Sequence, residues 1–445
     1  MPGVKRLFGT DGVRGVANRD LSPELALALG RAAGTLLASD GGEVVVGRDT
    51  RLSGPMLEGA LTAGLCSAGA TVRLAGVVPT PAVAFLTVDE KARAGAVISA
   101  SHNPVPDNGI KFFSDEGLKI ADEVEERIEE LMQEPLDDLP AGEAIGRAEA
   151  LPGGLDRYVR HLLGTIEHPL TGLRVVLDCA HGAAHAAGPR AFREAGADVI
   201  AIHTDPDGSR INVDCGSTSL NELSAAVVAE AADLGLAFDG DADRVLAVDE
   251  AGRPVDGDRI IALAAIRLHE RGALTNGTVV ATVMANLGFV KALETRGIEV
   301  VAAPVGDRYV AEAMAEHGAA LGGEQSGHVI FGEHTTTGDG ILTGLQLASA
   351  LVSSDEVMSS LVDLFEPYPQ VLINVPVAAR GSLEDSAALW DEVRTAERSL
   401  GDGGRVLIRP SGTEPLVRVM VEATDRRAAQ VTARSLADAV KRHLG

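Results

Sequence analysis

LAFDGDADRVLAV, from Leu236 to Val248, sets three acidic residues between two apolar runs. Leu236–Phe238 and Val245–Val248 are apolar on successive residues and do not alternate, as in strands covered on both faces, the habit of parallel sheets in α/β domains. Between them stand Asp239, Asp241 and Asp243, three carboxylates at alternate positions. Two unit charges about 4 Å apart repel by about 4 kcal/mol at an effective dielectric of about 20. Such a loop must splay into water or be neutralised. A hard, oxygen-seeking cation such as Mg2+, one per chain, is the natural partner, and Gly240 and Ala242 are small enough to permit a tight wrap. The spacing also imitates an EF-hand, with Glu250 at its last position. That reading fails because Arg244 stands where the EF-hand needs glycine and the flanks read as strands. A strand-end aspartate can itself be a nucleophile, so an aspartyl-phosphate phosphotransferase using Asp239 is the strongest rival chemistry.

Outward from this stretch, short Val/Ile/Leu-rich runs alternate with longer Ala-rich ones. The expected strands include Val44–Val46, Val72–Val78, Ala96–Ser99, Val175–Leu177, Val199–Ile202, Val279–Val283 and Val300–Ala302. Ile120–Gln133 places Ile120, Val124, Ile128 and Leu131 on one helical face, opposite a strongly acidic one. Three sections open alike, with VVVGRD at Val44, VVLDCAHG at Val175 and VVATVMANLG at Val279. Each later reaches a polar loop: SASHNP, DGDADR or GEQSGH. Three related α/β units, each presenting one loop to a shared centre, fit this repeat. Joints containing proline occur at Leu151–Gly154 and Pro367–Pro369. Domains are expected over residues 1–152, 153–252, 253–366 and 367–445, the last a smaller α+β unit in which VLINVPV and GRVLIRP…LVRVMVEA supply strands.

Length and composition narrow the function. At 445 residues the chain is too long for one core. Apolar residues at 45% exclude general disorder, and aromatics at 3% leave the cores to Val, Leu, Ile and Ala. The formal charge of −25 argues against nucleic acid or an anionic membrane as partner. It also means that an anionic substrate must be met by particular cations, because the overall field repels it. Cys66, Cys179 and Cys215 are scattered, which gives no disulfide framework and suggests a reducing compartment. No apolar segment follows Lys5 and Arg6 as in a signal peptide, and no run approaches the roughly 20 residues of a membrane span. A soluble, cytoplasmic protein is expected.

Four more loops carry side chains suited to chemistry. Ser101 follows the apolar run Ala96–Ser99 and precedes His102, Asn103 and Pro104, with Lys111 close in sequence. A serine hydroxyl needs a base, a metal or an existing phosphate to act, and no G-x-S-x-G elbow surrounds it. GEQSGH offers Glu324, Ser326 and His328, a carboxylate, a hydroxyl and an imidazole that suit the hydroxyls of a sugar. RPSGTEP offers the fork of Arg409, the hydroxyls of Ser411 and Thr413, and Gly412, where backbone N–H groups can approach an anion. Arg418 follows on the next strand. No Gly-Lys dipeptide occurs, so a Walker-type phosphate loop is excluded. FGTDGVRG holds Arg14 in a glycine-rich loop. Cys179, His181 and His185 fall short of a zinc ligand set and are expected to be structural.

With FGTDGVRG, SASHNPVPDNGIKFF, DGDADR, GEQSGH and RPSGTEP in this order over nearly the whole chain, the sequence resembles the α-D-phosphohexomutase superfamily. FGTDGVRG, DCAHGA, VGDRYV at Val305 and Gln325 point within it to a hexosamine phosphate as substrate. Val105 and Pro106 depart from the aromatic or polar pair common in relatives, which leaves the local loop shape open. The resemblance implies three related α/β domains with mixed sheets plus a smaller α+β C-terminal domain around a central cleft. It implies that Ser101 is a phosphoserine in the active form and ligates Mg2+ together with Asp239, Asp241 and Asp243. Arg14, Lys111 and Arg244 would surround the transferring group, with His102 beside it. Glu324 and Ser326 would hold the sugar, with His328 near them as a proton-transfer residue. Arg409, Ser411, Gly412, Thr413 and Arg418 would grip the phosphate that does not react. The implied reaction exchanges glucosamine 6-phosphate and glucosamine 1-phosphate through a hexosamine 1,6-bisphosphate, intermediate or activator, and feeds UDP-N-acetylglucosamine and cell-wall precursor synthesis. A mutase of mannose or glucose phosphate is the alternative, and a homodimer stays open.

Overall fold

Unbroken runs of Val, Leu, Ile and Ala become the inner strands of three of the four sheets. The computed structural model describes residues 6–9, 11–38, 40–134, 139–377, 383, 385–410 and 416–445. The first sheet holds β1 (Val13–Val16), β2 (Glu43–Arg48), β3 (Thr71–Val77), β4 (Ala94–Ile98), β5 (Asp107–Ser114) and β6 (Ala148–Ala150), ordered β1-β5-β4-β2-β3-β6. The second holds β7 (Arg174–Asp178), β8 (Asp198–Ile202), β9 (Leu234–Phe238), β10 (Val245–Asp249) and β11 (Pro254–Val255), ordered β11-β10-β9-β7-β8. The third holds β12 (Thr278–Thr282), β13 (Glu299–Ala303), β14 (Leu321–Gly323) and β15 (Val329–Phe331), ordered β13-β12-β14-β15. The fourth holds β16 (Gln370–Pro376), β17 (Gly404–Pro410) and β18 (Leu416–Ala423), ordered β16-β18-β17 and antiparallel throughout.

The first three sheets share one plan. A central strand (β2, β7 or β12) has a parallel partner on each side, and one of those partners hands over to an antiparallel neighbour: β4 to β5, β9 to β10, β14 to β15. The handover loops are SASHNPVP, DGDADR and EQSGH. Each is too short for a parallel crossover, which takes about a dozen residues or more, so the chain must turn back on itself. The unbroken apolar runs therefore predict a parallel partner correctly for β9 against β7 but not for β10 against β9. Loop length decides that step. Strands β4, β9 and β12 are buried along their whole length, as strands covered on both faces must be.

The helix expected at Ile120–Gln133 forms over Asp122–Leu131, with Ile128 and Leu131 turned inward and its acidic side outward except for the buried Glu125. A core of Ala26, Leu29, Val44, Val46, Leu57, Leu61, Leu65, Ile98 and Phe112 packs helices Pro23–Leu37 and Gly54–Ser67 on the first sheet. Ser22 accepts the Leu25 N–H at the start of the first of these helices, satisfying one orphan donor. The chain divides into two compact units, Met1–Val283 with Ile298–Asp363, and Met284–Gly297 with Leu364–Gly445. In the second unit, Val375, Val417, Val419 and Val421 of the antiparallel sheet pack on Leu389, Val393, Ala433, Leu436 and Val440 of helices Ala387–Leu400 and Arg426–Leu444. Among the described residues no helix is long and apolar enough to cross a membrane.

Candidate active site

The DGDADR loop follows β9 and is clamped from three directions. Asp241 O accepts the Thr80 N–H (2.9 Å), Gly240 O accepts the Ala183 N–H (2.8 Å), and Ala242 O accepts the Gly340 N–H (3.0 Å). These donors come from the starts of helices Thr80–Asp89, Ala184–Glu194 and Gly340–Val352, one from the region of each of the first three sheets. Gly240 must be glycine, because a Cβ there would lie 2.5 Å from Ser101 O and 2.9 Å from Asn212 Nδ2. The three carboxylates are buried (Asp239 and Asp241 at 0%, Asp243 at 3% exposed), and their oxygens lie within 4.8 Å of one another. One oxygen of Asp241 accepts the Thr80 hydroxyl (2.6 Å) and lies 3.1 Å from Lys111 Nζ, while Asp241 Oδ1 and Asp243 Oδ1 are buried with no hydrogen-bond partner. Orphaned, clustered, hard oxygen donors fit a divalent cation.

Ser101 reaches this trio from the first sheet. It stands in the loop after β4 with φ at +48°, and its hydroxyl donates to Asp239 Oδ2 at 2.5 Å. With that proton given to Asp239, the 3.2 Å contact of Ser101 Oγ with His102 Nδ1 requires an Nδ1–H donor. Burial, with Arg244 and Arg14 nearby, holds the His102 pKa below its ordinary value, so the ring is neutral at pH 7. Burial and the neighbouring Asp243 and Asp241 push the Asp239 carboxyl well above the usual range. Asp243 moves the other way. Burial favours its neutral form, but Lys111, His328 and Arg244 together outweigh that and keep it ionised.

The cations close the site. Lys111, on β5, lies 3.1 Å from Asp241, 3.6 Å from Asp243 and 3.6 Å from Asp11. Burial alone would strip its proton, yet those three carboxylates raise its pKa and it stays charged. Arg14, on β1, donates to Asn103 Oδ1 (3.2 Å) and pairs with Asp11, which also pairs with Lys119. Arg244 Nε lies 3.7 Å from Asp243. Both Arg14 and Arg244 keep a buried Nε–H without a partner, an arrangement that an added anion would complete.

Glu324–His328 forms the turn between β14 and β15. Glu324 Oε1 accepts the Gly306 N–H (3.2 Å) and Oε2 accepts the Ser326 hydroxyl (3.3 Å). His328 is buried beside the acidic loop, with Nδ1 3.8 Å from Asp243 Oδ2. The Gly338 N–H donates to its Nε2 (3.0 Å). Nε2 is thus the acceptor nitrogen and the ring proton sits on Nδ1; burial disfavours a charged ring, but Asp243, Asp307 and Glu324 together raise its pKa.

In the C-terminal unit Arg409 and Arg418 stand directly opposite each other on β17 and β18. Burial and the facing Arg418 lower the Arg409 pKa. Like charges across a strand pair are unfavourable unless an anion joins them. Ser411, Gly412 and Thr413 lie outside the described residues. His181 and His185 each bond a backbone carbonyl, Asp205 O and Gly182 O. Instead His203, bridging Asp178 and Glu222, lies near Cys215.

Several neighbours escaped the reading of motifs: Asp11, Lys119, Asp49, Arg51, Thr80, Ser99 and Asn212. Asp11, Ser99 and Asp49 stood inside FGTDGVRG, SASHNP and VVVGRD without a role, and Arg51 lay two residues past the last of these.

Family models cover most of the chain. Phosphoglucomutase/phosphomannomutase alpha/beta/alpha domain I matches residues 5–137, domain II 156–252, domain III 256–368 and the C-terminal domain 372–439. Phosphoglucosamine mutases of Streptomyces avermitilis and Streptomyces coelicolor are each 55% identical, over 99% of this chain and 100% of theirs. The crystal structure of a phosphoglucomutase/phosphomannomutase family protein from Burkholderia thailandensis is similar at a TM-score of 0.85 and 28% identity, covering 98% of this chain and 97% of that one.

Proposed function

Because this chain belongs to the α-D-phosphohexomutase family and stands among its phosphoglucosamine mutases, we propose that it interconverts glucosamine 6-phosphate and glucosamine 1-phosphate with Ser101 as the phosphoryl relay. It is an isomerase that binds a sugar phosphate. The observation that carries the Ser101 assignment is the 2.5 Å hydrogen bond from its hydroxyl to Asp239, joining the loop after β4 to the acidic loop after β9.

In the forward direction the phosphoryl group leaves Ser101 Oγ for O1 of glucosamine 6-phosphate. The P–Oγ bond breaks, the P–O1 bond forms, and the proton that O1 loses ends on the freed Ser101 Oγ, then on O6 when the phosphoryl returns. The 1,6-bisphosphate turns round and its 6-phosphoryl returns to Oγ, leaving glucosamine 1-phosphate. Mg2+ held by Asp239, Asp241, Asp243 and the phosphoserine would neutralise charge at the phosphoryl oxygens. Lys111, Arg14 and Arg244 spread the remaining charge, which is where most of the catalysis in phosphoryl transfer arises. His102, neutral and beside Oγ, steadies it without adding a charge. Glu324 and Ser326 hold the sugar hydroxyls, and His328 lies beside Asp243. Arg409, Arg418 and residues 411–413 take the distal phosphate in either orientation. The three cysteines are free, which supports a reducing, cytoplasmic setting.

Ser101→Ala tests the assignment. It should leave no more than trace turnover of glucosamine 6-phosphate with Mg2+, and intact mass should lose a phosphoryl group that resists hydroxylamine in the unmodified sequence. Substantial retained activity, or a label that hydroxylamine removes, would overturn it.

A further inference from the structure

Arg51 lies outside every motif that pointed to the chemistry, and it is the largest fully buried side chain among the described residues. A guanidinium has five N–H donors in a fixed plane. Here all five are engaged. Nε donates to Asp49 Oδ2 (3.0 Å), Nη1 to Pro104 O (2.6 Å) and Asp107 O (3.0 Å), and Nη2 to Ser101 O (2.9 Å) and Asn103 O (2.8 Å). Four of the five acceptors are backbone carbonyls, three in the loop that carries Ser101 and the fourth at Asp107, where that loop enters β5.

The other side of the loop is tied to the same pair. Asp49 accepts the Arg51 N–H (2.9 Å) and the Ser99 hydroxyl (2.6 Å), and Ser99 Oγ in turn accepts the Ser101 N–H (2.9 Å). The carbonyl and the amide of Ser101 are thus both fixed by a path that ends on the Arg51–Asp49 pair. Ser101 needs such support, because a non-glycine residue at φ +48° is held in a sparsely populated conformation only when its surroundings insist on it. The charge of Arg51 is balanced by Asp49, and at 0% exposure it cannot touch a substrate. Its effect must pass through the backbone.

We propose that Arg51, with Asp49 and Ser99, is a positioning residue that templates the nucleophile loop and aims Ser101 Oγ at the reacting phosphorus. This inference rests on the reading of Ser101 as the relay. Oγ must attack and depart in line, once each per cycle, and a misplacement of about 1 Å can cost roughly 100-fold in rate. Lysine offers three donors on a flexible stem and cannot reproduce the planar fork.

The test uses the full chain with Mg2+ and compares Arg51→Lys, Ser99→Ala and Ser101→Ala. Thermal midpoint, kcat, KM and the rate at which glucose 1,6-bisphosphate phosphorylates the protein, followed by intact mass, are read for each. Arg51→Lys is expected to lower kcat and the phosphorylation rate by about 100-fold and Ser99→Ala by about 10-fold, with KM within about twofold. Ser99→Ala should keep its thermal midpoint within a few degrees, so it decides the matter if Arg51→Lys does not fold. Folded variants with unchanged kcat and phosphorylation rate, or a loss confined to KM, would overturn the positioning role while Ser101→Ala stays inactive. Activity in Ser101→Ala would instead remove the relay and this inference with it.

Discussion

At Asp241 the two carboxylate oxygens have different tasks. One is held by the Thr80 hydroxyl at 2.6 Å and by Lys111, while the other is buried and without a partner. A ligand oriented by a second group in this way loses about 10- to 100-fold in metal affinity when that group is removed. Thr80→Val should therefore weaken Mg2+ binding by about that factor with little change in KM for the sugar phosphate, as calorimetry and Mg2+ titrations of activity would show. Undiminished affinity would exclude Thr80 from the metal site. Arg409→Ala belongs to the same scale. Removing one of two facing guanidiniums should raise KM for glucosamine 6-phosphate by at least 10-fold, since a charge-assisted hydrogen bond contributes roughly 1.5–3 kcal/mol, and should leave Mg2+ affinity alone. Asp239, Asp241 and Asp243 were legible because three carboxylates in one short loop are an electrostatic anomaly. Thr80 was not, because a threonine after a proline is common and its partner lies 161 positions away.

Helix Gly340–Val352 starts at Asp339, whose side chain accepts the Leu342 N–H (2.9 Å) and the Tyr158 hydroxyl (2.8 Å). Burial lifts this carboxyl to about 6 from an ordinary 3.8. The folded chain thus holds the proton more tightly than the unfolded one. The contribution is complete below 3.8 and is lost as pH rises through about 6, at up to about 1.4 kcal/mol per pH unit. Asp339→Asn should flatten the fall in unfolding free energy between pH 3.8 and about 6, measured by urea denaturation. An unchanged slope would contradict this. The same helix supplies the Gly340 N–H that holds the acidic loop, so its start serves both stability and the site. Elements of this kind were readable where apolar runs were long. Their direction was not, because β9 and β10 look alike in sequence and only the loop between them makes them antiparallel.

Over the whole molecule a formal charge of −25 surrounds a site that must take an anion. Clustered cations and a bound metal resolve this locally, and Coulomb energy at short range outweighs a screened field. A cation that binds only the folded trio stabilises by mass action. Mg2+ should raise the thermal midpoint in a concentration-dependent way and EDTA should lower it, whereas Asp241→Asn should blunt the shift. A midpoint indifferent to Mg2+ would count against the trio as the metal site.

The α/β class, the repeat of three strand–loop sections and the ordered motifs follow from the residues alone, because periodicity, crowded charge and turn chemistry are properties of neighbours along the chain. Packing in three dimensions is what brings Ser101 to Asp239, Lys111 to Asp241, His328 to Asp243, and Arg51 to the Ser101 loop. Those contacts join residues tens to hundreds of positions apart, and no local pattern fixes the distance between two side chains until the sheets that carry them have packed.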